Sequence, residues 1–373
     1  MPPGRFMMTE TQEKTLFLSK SDVIFNLFYE ENMRNICISK LLFFAFLGLL
    51  FLPACAEKGP VENPAEKIKL VWPAAPQEAK IEWIKEYKML EEAARKGFWG
   101  KIGDFFLGPK IAHITRPYGV CTDDGNLLFI ADTGSSIIHV FDMEKGHYRL
   151  IEGDENVPLS TPIGLTYVDG SLYITDSSQG SILQYDLQNK SLSRLISMNI
   201  GRPTGIAFSE LEQRLYVSDT VAHQVVAYNR AGVEQFRFGE RGTGEGQFNF
   251  PTDLWVDTDG KVYVTDALNA RVQIFSATGA FLTEFGQSGD TPGSFSKPKG
   301  IAVDQHGHIY VCDALFDAVQ IFDAAGQLLL SFGENGNRPG QFWMPSGIFI
   351  DRQNQIYVAD TYSRRVQVFQ YLD

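Results

Sequence analysis

From about residue 110 to the C-terminus the chain is written in short runs rich in Val, Ile, Tyr and Phe, separated by Asp and Gly turns. Runs of this length and composition predict β-strands rather than helices. The clearest stretch reads Pro298-Lys-Gly-Ile-Ala-Val-Asp304, then Gly307, then Ile309-Tyr-Val-Cys-Asp313, then Val319-Gln-Ile-Phe322, and the same order of features occurs six times. Pro117, Pro162, Pro203, Pro251, Pro298 and Pro345 open the copies, at spacings of 45, 41, 48, 47 and 47 residues. Asp132, Asp176, Asp219, Asp266, Asp313 and Asp360 end the second strand of each.

A period in the forties with several strands per period predicts propeller blades, each a four-stranded antiparallel sheet. In the fourth copy the strands are expected at Asp253–Val256, Val262–Thr265, Val272–Phe275 and Phe281–Phe285. The sixth copy ends shortly after its third strand, Val366–Phe369, so its fourth must come from elsewhere. Ile81-Glu-Trp-Ile-Lys-Glu-Tyr87 has strand composition and is expected to pair there, closing the ring and removing two free sheet edges. The fold class is therefore all-β, a six-bladed propeller over residues 81–373. One short amphipathic helix is expected from the helical spacing of Phe98, Trp99, Ile102, Phe105 and Phe106, packed across one propeller face.

The N-terminal region follows a different pattern. Residues 41–52 read LLFFAFLGLLFL, preceded by Arg34 and Lys40 and followed by Pro53, Ala54 and Cys55. The run is shorter than the ~20 residues that span a bilayer and fits the apolar part of a signal peptide, here residues 1–54. Residues 1–32 precede a signal of ordinary length beginning at Met33 and read as an over-extended start. Leu52-Pro53-Ala54-Cys55 resembles the lipobox of bacterial lipoproteins, which implies acylation of Cys55. Ala56 is not the Asp that resembles an inner-membrane retention signal, so the outer membrane is favoured for a Gram-negative source. Residues 55–80, with Pro60, Pro64, Pro73 and Pro76, read as a lipid-anchored Pro-rich tether.

Charge narrows the partners. The chain carries a net −12, and residues 1–54 balance five basic against five acidic groups, so the deficit lies entirely beyond them. A nucleic-acid partner needs a dense basic surface, and none is written here. The four cysteines form no CxxC pair, and the histidines His113, His139, His147, His223, His306 and His308 occupy unrelated positions in their repeats, so no metal or other cofactor is expected. Cys121 and Cys312 fall in non-adjacent blades and are expected as separate buried thiols.

Gly246-Gln-Phe-Asn-Phe-Pro251 and Gly340-Gln-Phe-Trp-Met-Pro345 resemble the NHL repeat. So do Asp266-Ala-Leu-Asn-Ala-Arg271-Val-Gln-Ile-Phe275 and Asp360-Thr-Tyr-Ser-Arg-Arg365-Val-Gln-Val-Phe369. The resemblance is strongest in blades four to six; Ile137, Ser181 and Gln224 stand where blades one to three would carry the Arg. It implies a platform for protein, RNA or glycan ligands, with a minority of such propellers being enzymes such as amidating lyases.

The six repeat Asp residues are expected to cap loops rather than to bind a cation. Of the residues before the opening Pro, Arg116, Arg202 and Lys297 are cationic and alternate round the ring, a candidate site for a carboxylate, sulfate or anionic sugar. With no assignable catalytic residue, the reading is an envelope-anchored binding scaffold without catalytic activity, attached to the membrane only through its lipid and recognising an envelope protein or a glycan. A channel-centred lyase or hydrolase and a structural subunit of an envelope complex are the alternatives.

Overall fold

The structure, a computed structural model, describes residues 69–88, 113–196 and 200–372. The segment read as a signal peptide, Cys55, most of the stretch read as a tether and the helix expected over 98–106 lie outside the described residues. Among the described residues there is no α-helix, and hence none long and apolar enough to cross a membrane.

Six antiparallel sheets form the fold, five of four strands and one of five. The first strands of successive blades touch in ring order, the sixth meeting the first, so the sheets close a six-bladed propeller around a central channel. The fourth blade runs Pro251–Val256, Val262–Asp266, Arg271–Phe275 and Phe281–Phe285, within two residues of the strands expected at every boundary. Burial falls from the inner strands outward: Val262–Asp266 is buried throughout, whereas Phe281–Phe285 is mostly exposed.

The repeated Gly-Gln-Phe wording has a packing cause. Phe248, Phe295 and Phe342 each insert between the third strand of their own blade and the fourth strand of the preceding one. Phe248 lies 5.4 Å from Phe275, which is 4.8 Å from Phe238; Phe342 lies 5.7 Å from Phe369, which is 5.0 Å from Phe332. Buried side chains of this size contribute about 1.5–3 kcal/mol each, so these clusters are what hold one blade to the next.

Ile81–Tyr87 pairs antiparallel with Arg365–Tyr371 and supplies the fourth strand of the sixth blade. The Trp83 indole N–H donates to Gln367 Oε1 at 3.0 Å, fixing the register from the side-chain side as well. The sheet then reaches further back than expected. Val71–Trp72, inside the stretch read as tether, pairs with Ile81 and Glu82 as a fifth strand. Trp72 is held 5.9 Å from both Phe332 and Phe369, over Gly340, where a Cβ would come within 2.6 Å of its ring. An apolar residue beside an unpaired edge gains both ladder bonds and burial, so Val71–Trp72 belong to the sheet and not to the stretch read as a tether.

Candidate functional site

Each repeat Asp is buried and turned toward backbone N–H groups. Asp132 accepts from the N–H of Thr115 and Arg116, Asp176 from Ser160 and Thr161, Asp219 from Gly201 and Arg202, and Asp313 from Ser296 and Lys297. Asp266 and Asp360 accept from Asn249 and Trp343 at the equivalent place. These carboxylates therefore tie the strand that enters a blade to the end of its second strand, and their acceptor capacity is spent on the fold.

Two arginines extend this network. Arg271 donates to Asp266, Glu284 and the carbonyls of Gly244 and Gln247. Arg365 does the same with Asp360 and the carbonyls of Asn337, Arg338 and Gln341, and its remaining donor reaches Glu86 on the closing strand at 2.7 Å. Gln273, Gln320 and Gln367 accept from the N–H of Gly246, Gly293 and Gly340 and donate to carbonyls of the same loops. Blade one has His139 at that position, with Nε2 3.1 Å from Asp132 and Nδ1 2.7 Å from the Tyr148 hydroxyl. Burial opposes ionisation of Asp132, but the bonds from His139 and Thr115 outweigh it and hold the carboxyl well below its usual range.

The central cavity, about 620 Å³, is lined by the innermost strands and opens among the turns that follow them. Its wall is uneven. Blades two and three present small residues at the fifth strand position, Thr166 and Ala207, whereas blades four and six present Trp255 and Phe349; Cys121 at that position of blade one is buried in the core instead. These two rings meet at 5.5 Å across the intervening Ala302 of blade five, and Ile301 is that blade's sole contribution to the wall. No hydrogen-bond partner for the Trp255 indole N–H or the Thr166 hydroxyl is found among the described residues, which leaves two donors facing the cavity.

At the turn face the mouth carries Asp124, Glu210, Asp257 and Arg352. Arg352 of blade six bridges Asp124 of blade one at 3.1 Å and Glu210 of blade three, the opposite blade, at 2.8 Å. This exposed bar lies across the opening, and pairs of this kind contribute only ~0–1 kcal/mol each, so a ligand displaces it at little cost.

At the other end the innermost strands begin with a narrow collar. The third strand position is Gly119, Gly164, Gly205, Gly300 and Gly347 in five blades and Asp253 in the fourth. A Cβ at Gly119 would sit 2.0 Å from the Ile163 carbonyl oxygen, and one at Gly347 2.2 Å from that of Tyr118. Glycine is thus what lets the strands converge. Asp253 lies against Gly205 and accepts from the Ile301 N–H at 3.3 Å. Burial among the converging strands pushes its carboxyl up to about 7, against the opposing pull of the Leu254 and Ile301 N–H groups. Beside it, burial and the neighbouring Asp253 charge push the Tyr118 hydroxyl up to about 12, while Arg202 acts in the opposite direction.

Arg116, Arg202 and Lys297 are exposed on the face where the innermost strands begin, each in the same register and with no carboxylate paired to it among the described residues. They surround the collar rather than line the cavity. Arg202 lies close enough to influence Tyr118, and Lys297 close enough to lower Lys299. The histidines stay apart: His139 is in the blade-one network, His223 accepts from the Phe250 N–H, and His308 pairs with Asp304. Among the described residues no three His, Cys, Asp or Glu converge as metal ligands. Cys121 and Cys312 are buried and unpaired.

Comparison with known proteins agrees with this architecture. Residues 256–319 match a family model described as 6-bladed beta-propeller, and residues 342–369 match the NHL repeat. The chain is a six-bladed β-propeller, and its last blade matches an NHL repeat. No curated relative matches the chain. Among solved structures, the propeller is similar to virginiamycin B lyase from Staphylococcus aureus, at 16% identity over 69% of this chain and 96% of that one, with a TM-score of 0.52. It is also similar to auxiliary nutrient binding proteins from Bacteroides thetaiotaomicron, at 15% identity and TM-score 0.56, and from Bacteroides ovatus, at 12% and 0.54, each over 69% of both chains. At such identities the likeness is one of fold. The neighbours include both a lyase and binding proteins.

Tyr118, Asp253, Lys299 and Arg352 were not among the sequence candidates. Asp253 and Lys299 do leave a signal: aligned on the opening Pro, one is the single non-glycine of its column and the other the single cation of its column. Arg352 leaves none, because its partners lie in turns of two other blades.

Proposed function

We propose that this propeller is a binding protein of the bacterial envelope, held by a lipid on Cys55, which takes its ligand into the channel through the turn face and performs no chemistry on it. The observation that carries the reading is the composition of the cavity wall. It is apolar and aromatic along its length, with donors at Trp255 and Thr166, charges at the mouth and Asp253 at the narrow end, as binding pockets commonly combine an apolar wall with a few placed polar groups. No histidine lines it. The nutrient-binding neighbours support the same direction, and a glycan or a peptide of an envelope protein fits such a wall. A lyase or hydrolase remains the alternative within the same channel.

Affinity capture from the native envelope tests this. The full chain is expected to retain a ligand or partner that the Thr166→Trp variant, whose new indole narrows the cavity, releases. Identical capture by the two proteins would remove the channel from the function. The anchor has its own test. Metabolic labelling with a palmitate analogue is expected to mark the chain in a bacterial host, and Cys55→Ala to abolish the label; a label that survives argues for another site of attachment.

A second reading, a structural subunit, is favoured by one feature. Val221, Leu268, Leu315 and Tyr362, each two residues after a repeat Asp, are exposed on consecutive blades, with Trp343 5.5 Å from Tyr362. This arc lies on the face opposite the mouth, so a protein partner there and a ligand in the channel are compatible.

A further inference from the structure

At the second position of the innermost strands stand Tyr118, Ile163, Thr204, Thr252, Lys299 and Ser346. Three of these are occupied in joining blades or strands: Thr204 with Thr220 at 2.8 Å, Thr252 donating to the Lys299 carbonyl, and Ser346 donating to the Tyr118 carbonyl. Lys299 and Tyr118 are not used in this way. The Lys299 ammonium reaches from blade five past blade six and sits 5.3 Å from the centroid of the Tyr118 ring in blade one. No carboxylate pairs with it among the described residues, and the Tyr118 hydroxyl has no hydrogen-bond partner there. Lys299 is half-buried, and burial, reinforced by Lys297, lowers its pKa. A cation withdrawn from water onto a ring face, with no carboxylate in contact with it among the described residues, is an ion pair lacking its partner.

The rest of the channel says what kind of partner fits. Above the collar the wall is the rank of Val120, Leu165, Ile206 and Leu254, followed by Trp255 and Phe349. An innermost strand of about six residues is ~20 Å long, so this apolar shaft accepts an extended body. The acidic mouth repels an anionic group and the collar attracts one, which sets the orientation: charge inward, apolar body along the shaft.

We infer that the collar binds the carboxylate of an elongated apolar molecule, with Lys299 as its counter-ion and the Tyr118 hydroxyl as a hydrogen-bond donor. A single ammonium and a single hydroxyl match a monoanion. This rests on the channel being the ligand site and, of the ligands that could enter it, selects an apolar acid in place of a glycan. Asp253 modulates it. The groups bearing on the collar are Asp253, Tyr118, Arg116, Lys297, Lys299, Arg202 and Cys312; of these, Asp253 gains a negative charge as pH rises through about 7. Affinity for the anion therefore falls from pH 6 to pH 8.5, and Asp253→Asn flattens that fall.

Calorimetric titration of the full chain with decanoate and with 4-phenylbutyrate, each beside its primary amide, tests the assignment at pH 6. At least one acid is expected to bind ten-fold or more tightly than its amide. Lys299→Met is expected to bring the acid down to the level of the amide without moving the amide, and Lys299→Arg to recover most of the difference. Binding of the straight-chain acid alone assigns a fatty-acid-like body, and of the aryl acid alone an aromatic one. Equal affinity for acid and amide overturns the collar assignment while leaving the channel as a binding site. Failure of both acids to bind overturns the assignment as well, and whether the channel binds anything is then decided by the capture experiment with Thr166→Trp.

Discussion

Replacing Arg365 with methionine is expected to lower the stability of the folded protein by about 3–5 kcal/mol, because removing one partner of a buried ion pair strands the other. The side chain is 1% exposed and Asp360 is 0% exposed. Burial already pushes the Asp360 carboxyl up from its ordinary range, and the Trp343 N–H and the Arg365 guanidinium draw it back. Methionine fills a comparable volume but supplies no donor, so the carbonyls of Asn337 and Arg338 lose the guanidinium's bonds at once, while Asp360 is left to the Trp343 N–H and Gln367 and the Gln341 carbonyl to Gln367 alone. The loss also crosses the ring closure, because the same guanidinium holds Glu86 on the strand that seals the propeller. Urea denaturation reads the total, and amide exchange over residues 81–87 reads the closure. Arg352→Met is the comparison: it removes two ion pairs as short, but at a side chain 63% exposed, and is expected to change stability by about 1 kcal/mol or less. Equal effects from the two substitutions would mean that Arg365 is not the closure's anchor.

The same contrast explains what could be read in the sequence. The repeat Asp, the Arg of blades four and six, and the Gly-Gln-Phe wording recur because each performs one local task in every copy where it appears. Periodicity therefore exposed the blades, their strands and the pairing of Ile81–Tyr87 with the last strand. Val71–Trp72 escaped because two residues among prolines carry no period, and their strand exists only because Gly340 leaves room for Trp72. The channel was less legible for the opposite reason. The character of its narrow end comes from where copies differ, Asp253 among glycines in the wall and Lys299 against the Tyr118 ring among neutral side chains, and repetition does not mark such positions. Arg116, Arg202 and Lys297 drew notice by alternating, yet their backbone N–H groups serve the Asp caps and their side chains surround the collar without lining the cavity.

Gly347→Ala is expected to cost about 3 kcal/mol or more, at the upper end of what overpacking usually does. The added Cβ would stand 2.2 Å from the Tyr118 carbonyl oxygen and 3.3 Å from the Gly119 Cα. Both obstacles are backbone, so no rotamer relieves the contact, and blades six and one must separate where the ring is tightest. Asp253 occupies the same column, and Asp253→Gly gives the opposite case. There a Cβ is already accommodated, and removing it costs roughly 0.5–1 kcal/mol through the freedom that glycine gains in the unfolded chain. Set against this is the carboxyl itself. Its pKa is raised in the folded protein, so its contribution is fully present below the ordinary carboxylate range and is lost as pH rises through about 7. Asp253→Gly is therefore expected to be destabilising at pH 4 and neutral or stabilising at pH 8, whereas Gly347→Ala is destabilising to the same degree at both. Thermal denaturation of the two variants at the two pH values separates a steric collar from an electrostatic one. If Gly347→Ala were tolerated, the convergence of the innermost strands would not depend on glycine, and the narrow end of the channel would owe its width to Tyr118 and Lys299 instead.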